Sequence, residues 1–345
     1  MKSPKVIYLI ARTYGLQAHL LRKEQFVQLL RLKDISGMYD FLLKSEYSKE
    51  LSKIPVKEMD AYKLEKIFYE KLSQRFFFLL QITSGKTEQV LEHYCRKIEV
   101  ENLKRIIRAA HAKEKTSEDQ LIPIPRKYQT INFPALLEVS TIREIIGLLR
   151  ESEYENLREA LNLYEKYENP RIIEADADKI YYQLLWKTLE EATDKDDVRD
   201  LVGTEIDLKN LLNMLTLKYT KVEEGLLKQT TIPNLCSRLS KSLIQETAVT
   251  SYQEIPRLLT SPKYVELAKK AVELMDKGMM SETENIFSQY MYSYAETTAL
   301  RNPNSLVYVF AYLELCFGEA RNLTMLAIGK QLKLEDEKIR SLLFL

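Results

Sequence analysis

The chain has 345 residues, of which 45% are hydrophobic and 29% are charged, and its formal net charge at pH 7 is +1. The length allows one large domain or two to three small ones, and the balanced charge argues against a nucleic-acid partner, since general nucleic-acid binders usually carry a clear basic excess. Only 9 glycines and 10 prolines occur. Because turns consume those residues, their scarcity predicts an all-α protein of long helices joined by few loops.

No feature of the sequence indicates export or a membrane-spanning segment. The N-terminal segment holds a short apolar patch that Arg12 interrupts, without a convincing cleavage site. The most apolar windows are Phe76–Ile82 and Ser305–Phe317, and the second contains Glu314. Because a span requires about 18 uncharged apolar residues, we predict no transmembrane segment, although the chain could lie against a membrane complex.

Apolar residues at spacings of three and four predict several helices. In chain order these helices cover residues 61–81, 88–113, 176–192 and 282–300. A further segment, 313–328, is apolar nearly all round, which is typical of a helix that neighbours bury on several sides. Proline-bearing stretches without periodicity, at 121–134 and around Pro233, predict boundaries within the chain.

The helix predicted at 88–113 has two contrasting sides. Glu99 and Asn102 fall within its apolar stripe. Because an unpaired buried polar group costs about 1–3 kcal/mol, we predict that Asn102 binds the end of a neighbouring helix; a ligand site is the alternative. The other side carries Lys97, Lys104, Arg105 and Arg108. We interpret it as a solvated face, with a docking surface for an acidic partner as the alternative.

Three markers recur three times in the same order, which indicates an internal repeat. The first marker is a Leu-Leu pair followed by a tyrosine. Its tyrosines are Tyr47, Tyr154 and Tyr264, which are 107 and 110 residues apart. The second marker is an acid, one residue, Ile and an aromatic residue, and it begins at Glu65, Asp178 and Glu284.

The third marker is an acid, two residues and then Asn-Leu. Its pairs are Glu99 and Asn102, Asp207 and Asn210, and Glu319 and Asn322, with the asparagines 108 and 112 residues apart. We therefore predict three similar helical subdomains, covering residues 1–128, 129–235 and 236–345. In the second copy the leucine stripe lies roughly opposite Asn210, so either that helix packs on both faces or the equivalence is looser.

The sequence holds no recognisable catalytic, cofactor or metal site. Its cysteines and histidines are scattered, at Cys95, Cys236, Cys316, His19, His93 and His111. No pair of them has metal-ligand spacing. Residues 84–87 read SGKT, like the end of a phosphate-binding loop, but Leu80 stands where that loop needs a glycine. We expect no catalytic residue, no cofactor and no metal, and interpret residues 76–87 as a helix end followed by a turn.

Residues 11–21 read ARTYGLQAHLL. This segment is similar to the opening A-R-x-x-x-L/M-x-x-x-L-L helix of the C subunit of archaeal and bacterial A/V-type ATPases, a family whose eukaryotic relative is the d subunit of the vacuolar ATPase. The Leu-Leu element before Tyr47 follows as in that family, and the elements around Asn102 and Asn210 also resemble it. The family's usual run of arginines after Arg12 is reduced here. The resemblance covers essentially the whole chain and depends on the ordered triple repeat.

This resemblance implies a funnel of three helical subdomains around a pseudo-threefold axis. It also implies a non-catalytic rotor subunit of the central stalk, a socket that passes torque between the membrane proteolipid ring and the central shaft of a proton-translocating ATPase or ATP synthase. The expected partners are the central-shaft subunits and the ring, at the cytoplasmic face of the cell membrane. We expect one copy per complex and a monomer when the chain is isolated.

A helical repeat scaffold with unrelated partners is the main alternative. Scaffolds of TPR or HEAT type repeat every ~34–47 residues, whereas the period here is near 110 residues. An enzyme of isoprenoid-synthase type is a second alternative, and it needs acid clusters such as DDxxD to hold magnesium. The nearest acidic run, residues 194–197, lacks that pattern and is typical of a loop or a helix cap.

Overall fold

A computed structural model shows an all-helical protein, which confirms the predicted fold class. The structure describes residues 4–190, 195–220, 227, 230–234, 238–239, 243, 246–247 and 250–344, and no β-strand occurs among them. The predicted boundary at 235/236, Cys236 and the first residue of the acidic run at 194–197 lie outside the described residues.

The described residues form α-helices and short 3-10 turns. The α-helices are α1 (Pro4–Gln17), α2 (Lys23–Arg31), α3 (Ile35–Leu42), α4 (Ser48–Leu51), α5 (Ala61–Gln81), α6 (Lys86–Cys95), α7 (Lys97–His111), α8 (Phe133–Glu138), α9 (Ile142–Leu148), α10 (Leu157–Tyr167), α11 (Arg171–Glu190), α12 (Lys195–Tyr219), α13 (Ile255–Leu258), α14 (Pro262–Asp276), α15 (Met280–Arg301), α16 (Val307–Gln331) and α17 (Asp336–Leu342). The 3-10 turns are Val56–Glu58, Glu118–Gln120, Arg126–Tyr128 and Tyr252–Glu254.

The helices predicted from periodicity correspond to α5, α11 and α15. The helix predicted at 88–113 is wrong in one respect, because Arg96 separates α6 from α7. The apolar spacing continues across this break, so the sequence pattern does not reveal it. None of the described helices is both long enough and apolar enough to span a membrane.

The chain folds as two compact units, one of residues 1–85 with 288–345 and one of residues 86–287. The division falls within α15. The three subdomains predicted from the repeat stay a prediction.

In the first unit, α5 and α16 pack along each other, and α1, α2 and α3 lie against α16. The prediction that α16 is buried on several sides is confirmed, because nearly every residue from Val307 to Ala327 is buried. A helix without an exposed stripe has no amphipathic period to guide packing, so its position depends on close contacts with its neighbours.

Two glycines allow such close contacts along α16. A Cβ atom built at Gly318 would overlap the ring of Tyr292, and one built at Gly329 would overlap the side chain of Ile339. A methyl group at either position would therefore force the neighbouring side chain or helix to shift. The two glycines set how closely α15 and α17 approach α16.

We expect Gly318→Ala to lower the free energy of unfolding by about 1–3 kcal/mol, because overpacking a filled core costs that much. The matched control is Gly147→Ala in α9, where a Cβ has open space and alanine is the better helix former. Urea unfolding of the two variants measures the difference. An unfolding midpoint for Gly318→Ala equal to that of the unsubstituted protein would show that the Tyr292 contact is not tight.

In the second unit, α11 packs against α6, α7, α10 and α12. The helix α12 is buried on both faces, since Leu208, Asn210 and Leu211 are all buried. Of the two explanations left open for Asn210, packing on both faces is therefore the correct one.

Candidate functional site

The three marker asparagines make the same pair of hydrogen bonds. In each pair the side-chain amide donates to the carbonyl oxygen of one residue, and the side-chain oxygen accepts from the N–H of that same residue. The pairs and their two distances are Asn102 with Ile122 (2.8 and 2.8 Å), Asn210 with Ile232 (2.8 and 2.8 Å) and Asn322 with Phe344 (3.2 and 2.8 Å). We call each pair an asparagine clamp.

Each clamp joins a buried helix to the segment that follows it. The bound residue lies 20 or 22 positions after the asparagine, in non-helical backbone. The prediction that Asn102 binds the end of a neighbouring helix is wrong, because the partner of Asn102 is the non-helical backbone of Ile122. A non-helical segment has backbone groups without a helical partner, and burial makes it necessary to satisfy them. An asparagine satisfies one donor and one acceptor at once.

The marker carboxylates bind backbone N–H groups as well. Glu99 accepts hydrogen bonds from the N–H and the hydroxyl of Thr130, at 2.6 and 2.7 Å, and from the N–H of Ile131 at 3.3 Å. Asp207 accepts from the N–H of Arg238 and the amide of Asn234, both at 2.8 Å. These carboxylates are almost completely buried, so the hydrogen bonds offset part of the cost of their burial.

Each marker carboxylate also lies near the marker tyrosine of another copy. The hydroxyl of Tyr264 donates to Asp207 at 3.3 Å, and the hydroxyl of Tyr47 donates to Glu319 at 2.7 Å. Burial raises the pKa of Tyr154, and the charge of Glu99 raises it further. Thus the first acid lies near the second tyrosine, the second acid binds the third tyrosine, and the third acid binds the first tyrosine.

The carboxylate of Glu319 has the most elaborate surroundings. Besides Tyr47, it accepts from the N–H of Leu21 and from Nη1 of Arg75, both at 2.6 Å. Arg75 also donates to Glu46 at 3.1 Å. The side chains of Arg75 and Glu319 are only 4% and 2% exposed. This is a buried, hydrogen-bonded ion pair between α5 and α16.

Burial alone would lower the pKa of Arg75, but the surrounding groups, with the charge of Glu319 first among them, together outweigh burial and hold the pKa above its usual value. Burial and then the charge of Glu319 raise the pKa of Tyr47, so its hydroxyl stays protonated and donates. Sequence reasoning missed Arg75. The signal available was one arginine within the otherwise uncharged residues 72–80 of α5.

The basic side of α7 is not uniformly solvated, although the side chain of Arg108 is 56% exposed. Lys97 and Lys104 are buried, so the interpretation of these two as solvated is wrong. Lys97 pairs with Glu205 at 2.5 Å, Lys104 with Asp178 at 3.1 Å and Arg108 with Glu174 at 2.6 Å. Arg105 is half-buried and donates to the carbonyl oxygen of Gln120. These partners lie within the chain, so each of the three cations already pairs with an internal carboxylate.

Asp178, a member of the second marker, lies between two lysines. It accepts from Lys104 and from Lys209, each at 3.1 Å. Burial would raise its pKa, but the two ammonium groups outweigh burial and hold the pKa below its usual value of 3.8. A carboxylate with a depressed folded pKa stabilises the fold fully above the unfolded pKa, and it loses that contribution as the pH falls through the folded pKa.

We therefore expect Asp178→Asn to lower the free energy of unfolding at pH 7 by about 1.5–3 kcal/mol, the range for hydrogen bonds to charged groups. The difference from the unsubstituted protein should shrink as the pH falls below 4. Urea unfolding at pH 7, 5, 4 and 3 measures it. The matched control is Asp40→Asn, at an exposed position. A difference that stays constant down to pH 3 would contradict the role of the charge.

The residues considered for chemistry lie in ordinary packing positions. Helix α5 ends at Gln81, residues 82–85 form the turn to α6, where Gly85 has φ of +69°, and Lys86 and Thr87 begin α6. The interpretation as a helix end followed by a turn is therefore correct up to Gly85. His93 contacts the carbonyl oxygen of Gln89, one helical turn earlier. Cys95 and Cys316 are buried. In the part of the chain that the structure describes, no three His, Cys, Asp or Glu residues are grouped to hold a metal ion.

Comparison with known proteins gives a consistent set of similarities. The family described as ATP synthase (C/AC39) subunit matches residues 9–342. The C subunit of the A-type ATP synthase of Methanosarcina mazei is 25% identical over 344 residues, which cover 98% of this chain and 92% of that protein. Those of Methanocaldococcus jannaschii and Archaeoglobus fulgidus are each 24% identical, covering 97% and 96% of this chain and 85% and 94% of those proteins.

Proposed function

Because the chain belongs to the ATP synthase (C/AC39) subunit family, we propose that it is a non-catalytic rotor subunit of an A/V-type ATPase or ATP synthase. In this role it is the socket between the membrane proteolipid ring and the central shaft. The observation that carries the proposal is the family match, which extends over nearly the whole chain rather than over one part of it.

The proposal includes the place of the chain in the complex. It lies at the cytoplasmic face of the membrane as a peripheral subunit, in one copy, with the ring and the central-shaft subunits as partners. The isolated chain is a monomer. The relatives with which it aligns from end to end are named as subunits of A-type ATP synthases.

The proposal also includes three subdomains, covering 1–128, 129–235 and 236–345, arranged as a funnel around a pseudo-threefold axis. Two repeated features support it. The asparagine clamp occurs once in each predicted subdomain, and each marker acid lies near the marker tyrosine of the next subdomain, with the third acid binding the first tyrosine. Such a closed order is expected when three similar subdomains surround an axis.

The internal contacts suit a mechanical part. A subunit that passes torque must resist twisting, and close-packed helices have low compressibility and transmit strain. Buried polar pairs fix the register of neighbouring helices, because sliding one past another would leave charged groups without partners. The pair Arg75 and Glu319, the pair Lys104 and Asp178 and the three clamps all act in this way.

Affinity capture tests the proposal directly. The tagged chain is purified from the membrane extract of the organism that makes it, and the recovered proteins are identified. We expect proteolipid and catalytic ATPase subunits in a constant ratio to the chain. Recovery of neither of them, or of unrelated proteins instead, would contradict the proposal and favour a helical scaffold.

The isolated chain should hydrolyse no ATP, because a socket that passes torque makes and breaks no covalent bonds. The measurement is release of inorganic phosphate by the purified chain, with the captured complex as a positive control. Hydrolysis by the isolated chain that persists through further purification would contradict a purely mechanical role.

A further inference from the structure

The helix α1 has one half docked in the first unit and one half exposed. Leu9, Ile10 and Thr13 are buried, whereas Ile7 is 56% and Tyr8 53% exposed. These two are among the most exposed large apolar side chains of the described residues. An exposed apolar patch of this kind on one helix marks an interaction surface when its shape and charge suit a partner.

The exposed half of α1 has small side chains between larger ones, and from this arrangement we infer a shallow groove. At roughly 100° per residue, the middle line of this half carries the small side chains of Ala11 and Gly15, with Pro4 at its start. One side of the line carries Ile7 and Tyr14, and the other side carries Tyr8 and Arg12. A Cβ at Gly15 would meet nothing within 4 Å. We call this surface, residues 4, 7, 8, 11, 12, 14 and 15, the α1 groove.

The α1 groove is held in place by the rest of the unit. The ring of Tyr14 stacks on that of Tyr308, with centroids 4.3 Å apart, and its hydroxyl donates to the carbonyl oxygen of Pro303 at 2.8 Å. Leu9, Ile10 and Thr13 are buried on the opposite side of the helix. The surface is therefore preformed, which lowers the entropic cost of binding a partner.

The charged residues of α1 are Lys5 and Arg12, whereas Glu24 and Glu296 line a pocket with Tyr14 on the other side of the surface. Lys5 and Arg12 lie on one edge, two helical turns apart, and α1 contains no acidic residue. Lys5 donates to the hydroxyl of Ser84, and the guanidinium of Arg12 lies over the ring of Phe78. Within the described residues, neither cation forms an ion pair with a carboxylate. A partner that supplied carboxylates at a spacing of about seven residues would complement this edge.

We propose that the α1 groove is a docking surface for an α-helix of another subunit of the same complex. That helix carries an apolar stripe, which fits over Ala11 and Gly15, and has carboxylates along the edge that meets Lys5 and Arg12. The inference rests on the proposed function, since it requires the chain to act within an assembly. Small side chains along the middle line favour a helix over a lipid surface, because interfacial helices place bulky apolar residues there.

The test compares four variants of the full chain. Each variant is produced in cells that lack the unsubstituted chain, so that the purified variant is free of it. The test substitutions are Tyr8→Glu and the pair Lys5→Glu with Arg12→Glu. The matched controls are Tyr62→Glu, at another exposed tyrosine, and Lys49→Glu, at another exposed lysine. Affinity of each purified variant for the complex depleted of this subunit is measured. We expect both test substitutions to weaken binding at least about tenfold, and the controls to change it less than about twofold.

Circular dichroism and urea unfolding of the same variants show whether they fold, so a loss of affinity with unchanged stability reports on the surface itself. A photoreactive benzoylphenylalanine in place of Tyr8 then identifies what covers the groove. A cross-link to a helical peptide containing Asp or Glu supports the proposal. A cross-link to lipid, or salt-dependent binding of the chain to phosphatidylglycerol–phosphatidylcholine vesicles that the Lys5 and Arg12 variant loses, overturns it in favour of a membrane contact.

Failure of this inference is distinguishable from failure of the proposed function. If the unsubstituted chain rejoins the depleted complex and Tyr8→Glu binds as tightly, only the α1 groove is wrong. If the unsubstituted chain does not bind the complex at all, the proposed function fails with it.

Discussion

Replacing Arg75 by leucine should lower the free energy of unfolding by about 3–5 kcal/mol, the usual effect of removing one partner from a buried ion pair. The leucine fills part of the volume, but among the described residues it leaves Glu319 as a buried charge with Leu21 and Tyr47 as its remaining donors. Glu46 also loses a partner. The measurement is urea unfolding monitored by far-UV circular dichroism. We expect the unfolding midpoint to shift to a much lower urea concentration.

A double substitution separates the charge from the loss of volume. Arg75→Leu combined with Glu319→Gln removes both charges. The amide oxygen of the glutamine can still accept from the N–H of Leu21, and its NH2 group faces the hydroxyl of Tyr47, which can turn to accept. We expect this double variant to be more stable than Arg75→Leu alone, since the uncompensated charge is gone. If the double variant is less stable than either single variant, the two side chains act independently and the ion pair is not the cause.

Replacing Asn102 by alanine should remove about 1–3 kcal/mol for each of the two backbone groups of Ile122 that lose their partner. Both groups belong to a buried residue, so the cost is that of an unsatisfied polar group rather than of a lost surface contact. Thermal and urea unfolding measure the effect. Because the clamp closes onto residues after α7, hydrogen exchange of the Ile122 amide should also accelerate.

Two further substitutions make the second prediction specific. Asn156→Ala is the control, at an exposed asparagine whose side chain does not cap its helix, and it should change stability by less than about 0.5 kcal/mol. Asn102→Asp keeps an acceptor for the N–H of Ile122. The ionised carboxylate has no donor for the carbonyl oxygen of Ile122, whereas the protonated carboxyl group has one. The loss of stability should therefore be intermediate near pH 4 and larger at pH 7. An alanine variant as stable as the control would mean that water replaces the clamp.

The part of this structure that could be predicted from the sequence is the part set by local periodicity. The helices α5, α11 and α15 each repeat apolar residues every three or four positions, so their existence follows from the pattern. The burial of α16 follows from its lack of any polar side. The expectation that Asn102 must be bonded follows from the cost of burying an amide, which does not depend on the partner.

The partners themselves could not be predicted, because they lie far along the chain. Lys104 and Arg108 are four residues apart on α7, and their partners Asp178 and Glu174 are four apart on α11 in the reverse order. Each charge pattern alone is typical of a solvated helix, and only antiparallel packing of the two helices brings them together. Likewise, nothing near Glu319 indicates that its counter-ion is Arg75, 244 residues earlier.

The contact between Glu319 and the start of the chain has a consequence for biosynthesis. During translation, Leu21, Tyr47 and Arg75 leave the ribosome long before residue 319 is added. The nascent segment that contains them therefore emerges without the carboxylate of Glu319, to which all three donate in the folded protein. Pairings over such sequence separations form late. The segment that holds these donors therefore completes its polar contacts only after residue 319 has been added, and the guanidinium of Arg75 lacks its buried counter-ion Glu319 until then.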